Sequence, residues 1–130
     1  MIVLDTHTLV WWVAGQSELS RTAKRHIEKE LANGEVLVSS ISAWEIAMLV
    51  NHGRLELAME VEQWLGTVTK IQGLRFVPVD NEIAVQSVTL TDFHKDPADR
   101  IIVATARRLS ASLVTIDKRI RAYPYVKTIW

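Results

Sequence analysis

The sequence predicts an α/β domain in which a mainly parallel sheet carries helices on both of its faces. Three observations predict it. Short runs of apolar, largely β-branched residues recur at Ile2–Leu4, Val36–Val38 and Leu113–Ile116, as strands buried on both faces require. Stretches with helical spacing lie between these runs, so strand and helix alternate. Each run also gives way at once to polar residues, Asp5-Thr6, Ser39-Ser40 and Asp117. In an open parallel sheet, ligands bind at the carboxyl ends of the strands.

Length and composition set the bounds. A chain of 130 residues suits one domain spanning 1–130, and an apolar content of 48% excludes disorder. The longest apolar run, Leu9 to Ala14, is too short to span a bilayer. No basic stretch precedes an apolar segment, so no signal peptide is expected. The absence of cysteine excludes disulfides and thiolate zinc sites, and suits a cytoplasmic protein. Lys plus Arg equals Asp plus Glu at 15 each, which argues against the strong general field of a nucleic-acid coat protein. It leaves room for an enzyme that meets nucleic acid through one local patch and bound metal ions.

Taken in order, Ile2–Leu4 is the first strand and Thr6–Ala14 the first helix, broken at Gly15-Gln16-Ser17. A second helix runs from an N-cap at Ser20 to a stop at Asn33-Gly34. Its charges Arg21, Lys24, Arg25 and Lys29 read as a solvated face. After Val36–Val38 a helix starts near Ser42 and ends at Asn51-His52-Gly53. The segment Leu57–Ile71 reads as mainly helical, with Val61, Trp64, Leu65 and Val68 on one face, and Gly73 closes it. Phe76–Val79 is a short strand that Pro78 confines to a sheet edge. Asp80 or Asn81 caps a helix through Leu90, and Asp96-Pro97 opens another that reaches Leu109. Leu113–Ile116 and Val126–Ile129 are the last strands.

Asp5 and Asp117 follow strands, and Glu45 falls in the first turn of the helix after the second strand, so all three belong to one sheet rim. Asp99, in the first turn of its own helix, can face the same place. Each also has a purely structural reading. Ser42 to Glu45 fits a capping box, Asp99 at the third helical position complements the helix dipole, and Asp5 and Asp117 can cap helices. Together they point to more. Crowded carboxylates repel and retain protons unless cations are present, and an all-oxygen set suits a hard divalent ion such as Mg²⁺ or Mn²⁺. Thr6 and Thr115 can add hydroxyls to the same pocket. Such a site activates water and neutralises charge on a phosphodiester.

These pieces resemble, in order and over nearly the whole chain, those of PIN-domain nucleases, and more narrowly VapC-type toxins of type II toxin–antitoxin pairs. The matching segments are Ile2 to His7, Ser42 to Ala47, His94 to Ala106 and Leu113 to Asp117. The resemblance implies a three-layer α/β/α sandwich and Mg²⁺- or Mn²⁺-dependent endoribonuclease activity leaving a 5′-phosphate and a 3′-hydroxyl. It also implies inhibition by a cognate VapB-type antitoxin and a homodimer. The family's acidic set falls on Asp5, Glu45, Asp99 and Asp117 as catalytic and metal-binding residues. Thr6, Asp96 and Thr115 stand behind them, Asp96 as a cap or supporting group. Ala98 departs from the family's pattern, where a bulky aromatic is common, which bears on packing rather than on the acids.

Other residues are weaker candidates. His7 and His94 can act as ligands or bases, but a lone histidine beside a site is more often structural. The five tryptophans suit core or a protein interface better than RNA stacking. Arg100, Arg107, Arg108, Lys118, Arg119 and Arg121 can meet phosphates; Arg100 and Lys118, nearest the acids in sequence, can instead pair with them. Two rival functions are a receiver-type phosphoacceptor switch and a PIN-fold binding module without catalysis. The first lacks an adjacent acid pair at the end of the first strand and a Lys directly ending Leu113–Ile116. The intact set of four acids argues against the second.

Overall fold

Every residue of Ile2–Leu4 (β1) and Val36–Ser39 (β2) is buried in the computed structural model, which describes residues 1–130. With Leu74–Val77 (β3), Ser112–Val114 (β4) and Thr128–Ile129 (β5) they form one sheet in the order β3-β2-β1-β4-β5. All four pairings are parallel. The chain winds outward from β1 to β3, then crosses back to lay β4 on the other side of β1. The direction of winding therefore reverses between β1 and β4, and a crevice opens beyond the carboxyl ends of these strands.

The helices are Thr6–Ala14 (α1), Arg21–Asn33 (α2), Ser40–Asn51 (α3), Val61–Thr69 (α4), Asn81–Val88 (α5), Pro97–Arg108 (α6) and Lys118–Arg121 (α7). Strand side chains alternate between two cores, as the pleat requires. Ile2, Leu4, Val36 and Val38 pack with Leu9, Ile27, Trp64 and Val68. Val3, Leu37 and Leu113 pack on the opposite face with Ile83, Ile102, Ile120 and Tyr123. This is the predicted three-layer α/β/α sandwich with an all-parallel sheet. No helix is long and apolar enough to cross a membrane.

Several boundaries differ from the sequence-based expectation. Helix α3 starts at Ser40, because the Ser39 hydroxyl accepts from the Ile41 N–H at 3.2 Å and caps it. Ser42 is thus inside the helix, Glu45 lies in the second turn, and the expected capping box is not formed. Helix α4 covers only Val61–Thr69: Leu57 lies in the irregular segment before it, and its side chain packs on the first core, mimicking a helical position. Strand β3 occupies Leu74–Val77 and ends before Pro78, at the sheet edge where an absent N–H costs nothing. Gly73 precedes it with φ +89°, where an added Cβ would lie 2.7 Å from the Leu31 carbonyl oxygen, so both conformation and space require glycine. Thr115 and Ile116 lie beyond β4, and Asp117 caps the unforeseen α7, which is too short to show a period. Ala98, with 3% exposure, packs as a small core residue at the start of α6.

Candidate active site

Asp5 leaves β1 at the reversal point and N-caps α1, its Oδ1 accepting from the Thr8 N–H at 2.9 Å. Its Oδ2 accepts a short hydrogen bond from the Thr115 hydroxyl, across the crevice from the β4 side. Thr115 Oγ1 in turn accepts from the Asp117 N–H at 3.1 Å. Asp117 Oδ1 accepts from the N–H groups of Arg119 and Ile120 at 2.8 and 3.1 Å, capping α7. The structural roles foreseen for Asp5 and Asp117 are therefore real. They fix one carboxylate oxygen of each, and buried Thr115 ties the two acids into one rim.

Glu45 reaches the rim from α3. The Thr6 hydroxyl makes a short hydrogen bond to its Oε1 and lies 2.9 Å from the buried Ser42 Oγ. One Thr6 proton serves one acceptor, so when Glu45 takes it, Ser42 donates its own proton to Thr6. Burial pushes the Glu45 carboxyl above its usual range; Thr6 opposes this, Asp96 and Asp5 add to it, and His7 lowers it. From the sequence Ser42 reads as a helix start. Its place behind Thr6 depends on the true start of α3, for which Ser39 was the available signal.

Helix α6 supplies the remaining acids. Asp96 Oδ1 caps the helix by accepting from the Asp99 N–H at 3.1 Å, with Pro97 in the first turn. The Asp99 carboxyl is pushed up to about 7, first by burial and then by Asp96, Asp117, Glu45 and Asp5. Every acid assigned to the site thus acts electrostatically on Asp99. His94 Nε2 lies 3.2 Å from Asp99 Oδ2, but the N–H direction is too poor for a hydrogen bond. Burial, then Arg119, lowers the His94 pKa, although Asp117 and Asp96 pull the other way, so the contact is between groups that both favour neutrality. His7 instead is exposed and tilts against Trp11 at 5.8 Å.

Neither expected cation pairs with the acids. Arg100 points away and donates to five backbone carbonyls, those of Ser87, Val88, Leu90, Phe93 and His94, at 2.7 to 3.2 Å. It fastens the segment between α5 and α6 and so holds His94 beside Asp99. Lys118 is exposed and forms no ion pair. The carboxylates share a rim, yet no three His, Asp or Glu side chains are gathered closely enough to hold one ion directly. Both oxygens of Asp5, and one each of Asp117 and Glu45, accept hydrogen bonds from the protein. The donor chemistry fits a small hard cation that keeps much of its water shell.

Of the tryptophans, Trp64 is core, Trp12 and Trp130 pack against it, and Trp44 is 55% exposed. The Leu57 and Leu65 side chains likewise turn toward the first core, leaving less open apolar surface on that segment than the sequence suggests.

Fold and rim together define a small parallel α/β domain that presents an all-oxygen, acidic crevice at its switch point. The PIN-domain family profile matches residues 2–124. The chain is 36% identical over 132 aligned positions to Ribonuclease VapC22 of Mycobacterium tuberculosis, covering 99% of this chain and 98% of that one. Among solved structures, VapBC2 from Rickettsia felis, bound to a DNA fragment from its promoter, superposes with a TM-score of 0.71 at 16% identity, over 98% of this chain and 97% of that one. A toxin-antitoxin complex from Klebsiella pneumoniae gives 0.68 at 22% identity, over 97% and 95%. The chain belongs to the PIN-domain family, and within it to the VapC type.

Proposed function

We propose that the protein is a Mg²⁺- or Mn²⁺-dependent endoribonuclease and acts as the toxin of a toxin–antitoxin pair. One observation carries the reading. Asp5, Glu45, Asp96, Asp99 and Asp117 surround one crevice, and no Lys or Arg forms an ion pair with any of them. Such a rim is costly for the isolated chain and becomes favourable with a cation from outside. Asp5, Glu45, Asp99 and Asp117 would hold the ion, mainly through water, with Thr6, Asp96 and Thr115 orienting them. A bound divalent ion supplies an activated water and neutralises charge on the phosphoryl oxygens. The chain's own part is to fix the carboxylates through three helix caps and two threonine hydroxyls, and to keep His94 against Asp99. The relative named a ribonuclease supports RNA as substrate.

The test is cleavage of RNA by purified protein, freed of any partner, in Mg²⁺, Mn²⁺ and EDTA. Cleavage that needs the metal, yields 5′-phosphate ends and survives a 2′-deoxy scissile nucleotide is the expected result. EDTA-resistant cutting or cyclic-phosphate ends would refute the mechanism.

The partner reading adds an antitoxin and a second copy of the chain. Exposed Val13, Trp44 and Met59, on or beside α1, α3 and α4, suit an apolar antitoxin segment, and Val85 and Val88 on α5, 64% and 77% exposed, suit the second copy. Light scattering of wild type and Val88→Glu tests the dimer. A wild type that stays monomeric at high concentration counts against it.

A further inference from the structure

Beyond the acidic rim, an aromatic ladder leads away from the crevice. The His94 and Phe93 rings are 4.3 Å apart, Phe93 and Tyr123 4.6 Å, and Tyr123 and Tyr125 5.3 Å. The Arg107 guanidinium then lies 5.7 Å from the centre of the Tyr125 ring. Three open pockets follow the ladder. One of about 310 Å³ is lined by Phe93, His94 and Arg119 and shares Tyr123 with the next, of about 510 Å³. That one shares Tyr125 and Arg107 with a third, of about 260 Å³, which ends at Lys127. The pockets therefore adjoin in a row along one surface groove, with Tyr123, Tyr125 and Arg107 on their shared walls, and the first touches the rim through His94.

The groove's charge is opposite to the rim's. Arg107, Arg119 and Lys127 are exposed and make no ion pair, whereas Arg108 is held by Glu82. Asp92 is the one acid among the residues lining the three pockets. Tyr123 is buried and fixed by its hydroxyl donating to the Thr91 carbonyl at 2.9 Å, so the ladder has a rigid middle. Tyr125, 58% exposed, offers a ring to solvent. Unpaired cations interleaved with an accessible aromatic ring suit a strand whose phosphates and bases alternate.

We infer that this groove binds the single-stranded RNA flanking the scissile phosphate, with a base stacked on Tyr125 and backbone phosphates met by Arg107, Arg119 and Lys127. The inference rests on the nuclease reading and adds to it the path of the substrate. A single strand fits better than a duplex, because stacking on Tyr125 needs a base free of its partner.

The experiment measures binding in EDTA, where no cutting occurs, by anisotropy of a fluorescein-labelled single-stranded RNA of about 16 nucleotides, the upper end of such site sizes. Tyr125→Ala should weaken binding about tenfold, the effect of one lost base stack, and Tyr125→Phe should restore it. Arg107→Gln should reduce the slope of log affinity against log salt by about 0.7, one phosphate contact on a single strand. Lys24→Gln, on the exposed face of α2, should change neither. Binding indifferent to both Tyr125→Ala and Arg107→Gln overturns the inference, as does an equal loss in Lys24→Gln. A changed molecular mass by light scattering with unchanged RNA affinity also overturns it, and would assign the face to a second copy. Failure of the nuclease reading is separate: it appears as a wild type that binds this RNA through Tyr125 yet cuts none in Mn²⁺, which leaves the groove standing.

Discussion

The acidic rim and the aromatic groove meet at His94 and are built in opposite ways. In the rim, short side chains are fixed by backbone: Asp5, Asp96 and Asp117 each cap a helix, and Thr115 and Thr6 hold Asp5 and Glu45. In the groove, Arg107, Arg119, Tyr125 and Lys127 are long, exposed and free of hydrogen-bonded side-chain partners, with Tyr123 alone anchored. Chemistry needs atoms held to fractions of an ångström, and helix caps provide that. Capture of a polymer of varied sequence needs charge and a ring, and tolerates movement. Substitutions in the rim should therefore act on rate, and those in the groove on affinity.

The largest effect should come from removing a rim charge. Asp5→Asn and Asp117→Asn retain an oxygen for their caps, so folding should survive, while the rate should fall roughly a hundredfold or more, the scale of losing one group that faces developing charge. Initial rates on a common RNA in Mn²⁺ check this. Full activity in both variants would remove the distinction between the regions.

Arg100→Ala should disturb both regions at once, because Arg100 fastens the Phe93-His94 segment that joins them. Five carbonyls lose their partner, and a loss of about 3 kcal/mol in urea unfolding is expected. Arg100→Lys should not restore it, since an ammonium lacks the flat fork of donors. Unchanged unfolding in the alanine variant would show that the joining segment holds without its clamp.

Thr115→Val keeps shape but strips the link between Asp5 and Asp117. Activity should fall about tenfold, as when a group orienting a ligand is lost. An activity equal to wild type would show that the caps alone hold the rim.

The last effect is a pH dependence of stability confined to the rim. Folding raises the Asp99 pKa from 3.8 to about 7, so between these values the folded chain binds a proton that the unfolded chain has released. Stability contributed by this group is fully present below 3.8 and is lost as pH rises toward about 7. Glu45, also raised, acts in the same sense. In EDTA, wild type should lose thermal stability relative to Asp99→Asn across this window. Millimolar Mn²⁺ should shrink the difference by stabilising the ionised carboxylate. A constant gap between the two proteins across the window would contradict the burial and crowding at Asp99.

What was legible in the sequence was what local pattern dictates. The run Ile2–Leu4 before Asp5, the Asp96-Pro97 helix start and the Ser20 cap each state their structure within a few residues, and all appear as read. The start of α3 was missed because Ser39, Ser40 and Ser42 are all acceptable caps, and burial at the end of β2 decides among them. The Arg100 carbonyl clamp has no sequence sign, since its acceptors are backbone groups and residue type is irrelevant to them. Arg107 and Arg119 are readable in the sequence as phosphate contacts, but the aromatic ladder between them is not. Tyr123-Pro124-Tyr125 has no period, and Phe93 joins it only through packing.

The bridge from Thr115 to Asp5 spans 110 positions in the chain, and it closes between the first strand and the fourth. Bringing together groups so distant in sequence carries a loop-closure cost that local contacts do not. During synthesis, β1 leaves the ribosome with Asp5 long before β4 exists to flank it. A growing chain therefore carries the first acid without a crevice to place it in. The rim is completed only when the residues that follow β4 have joined those that follow β1.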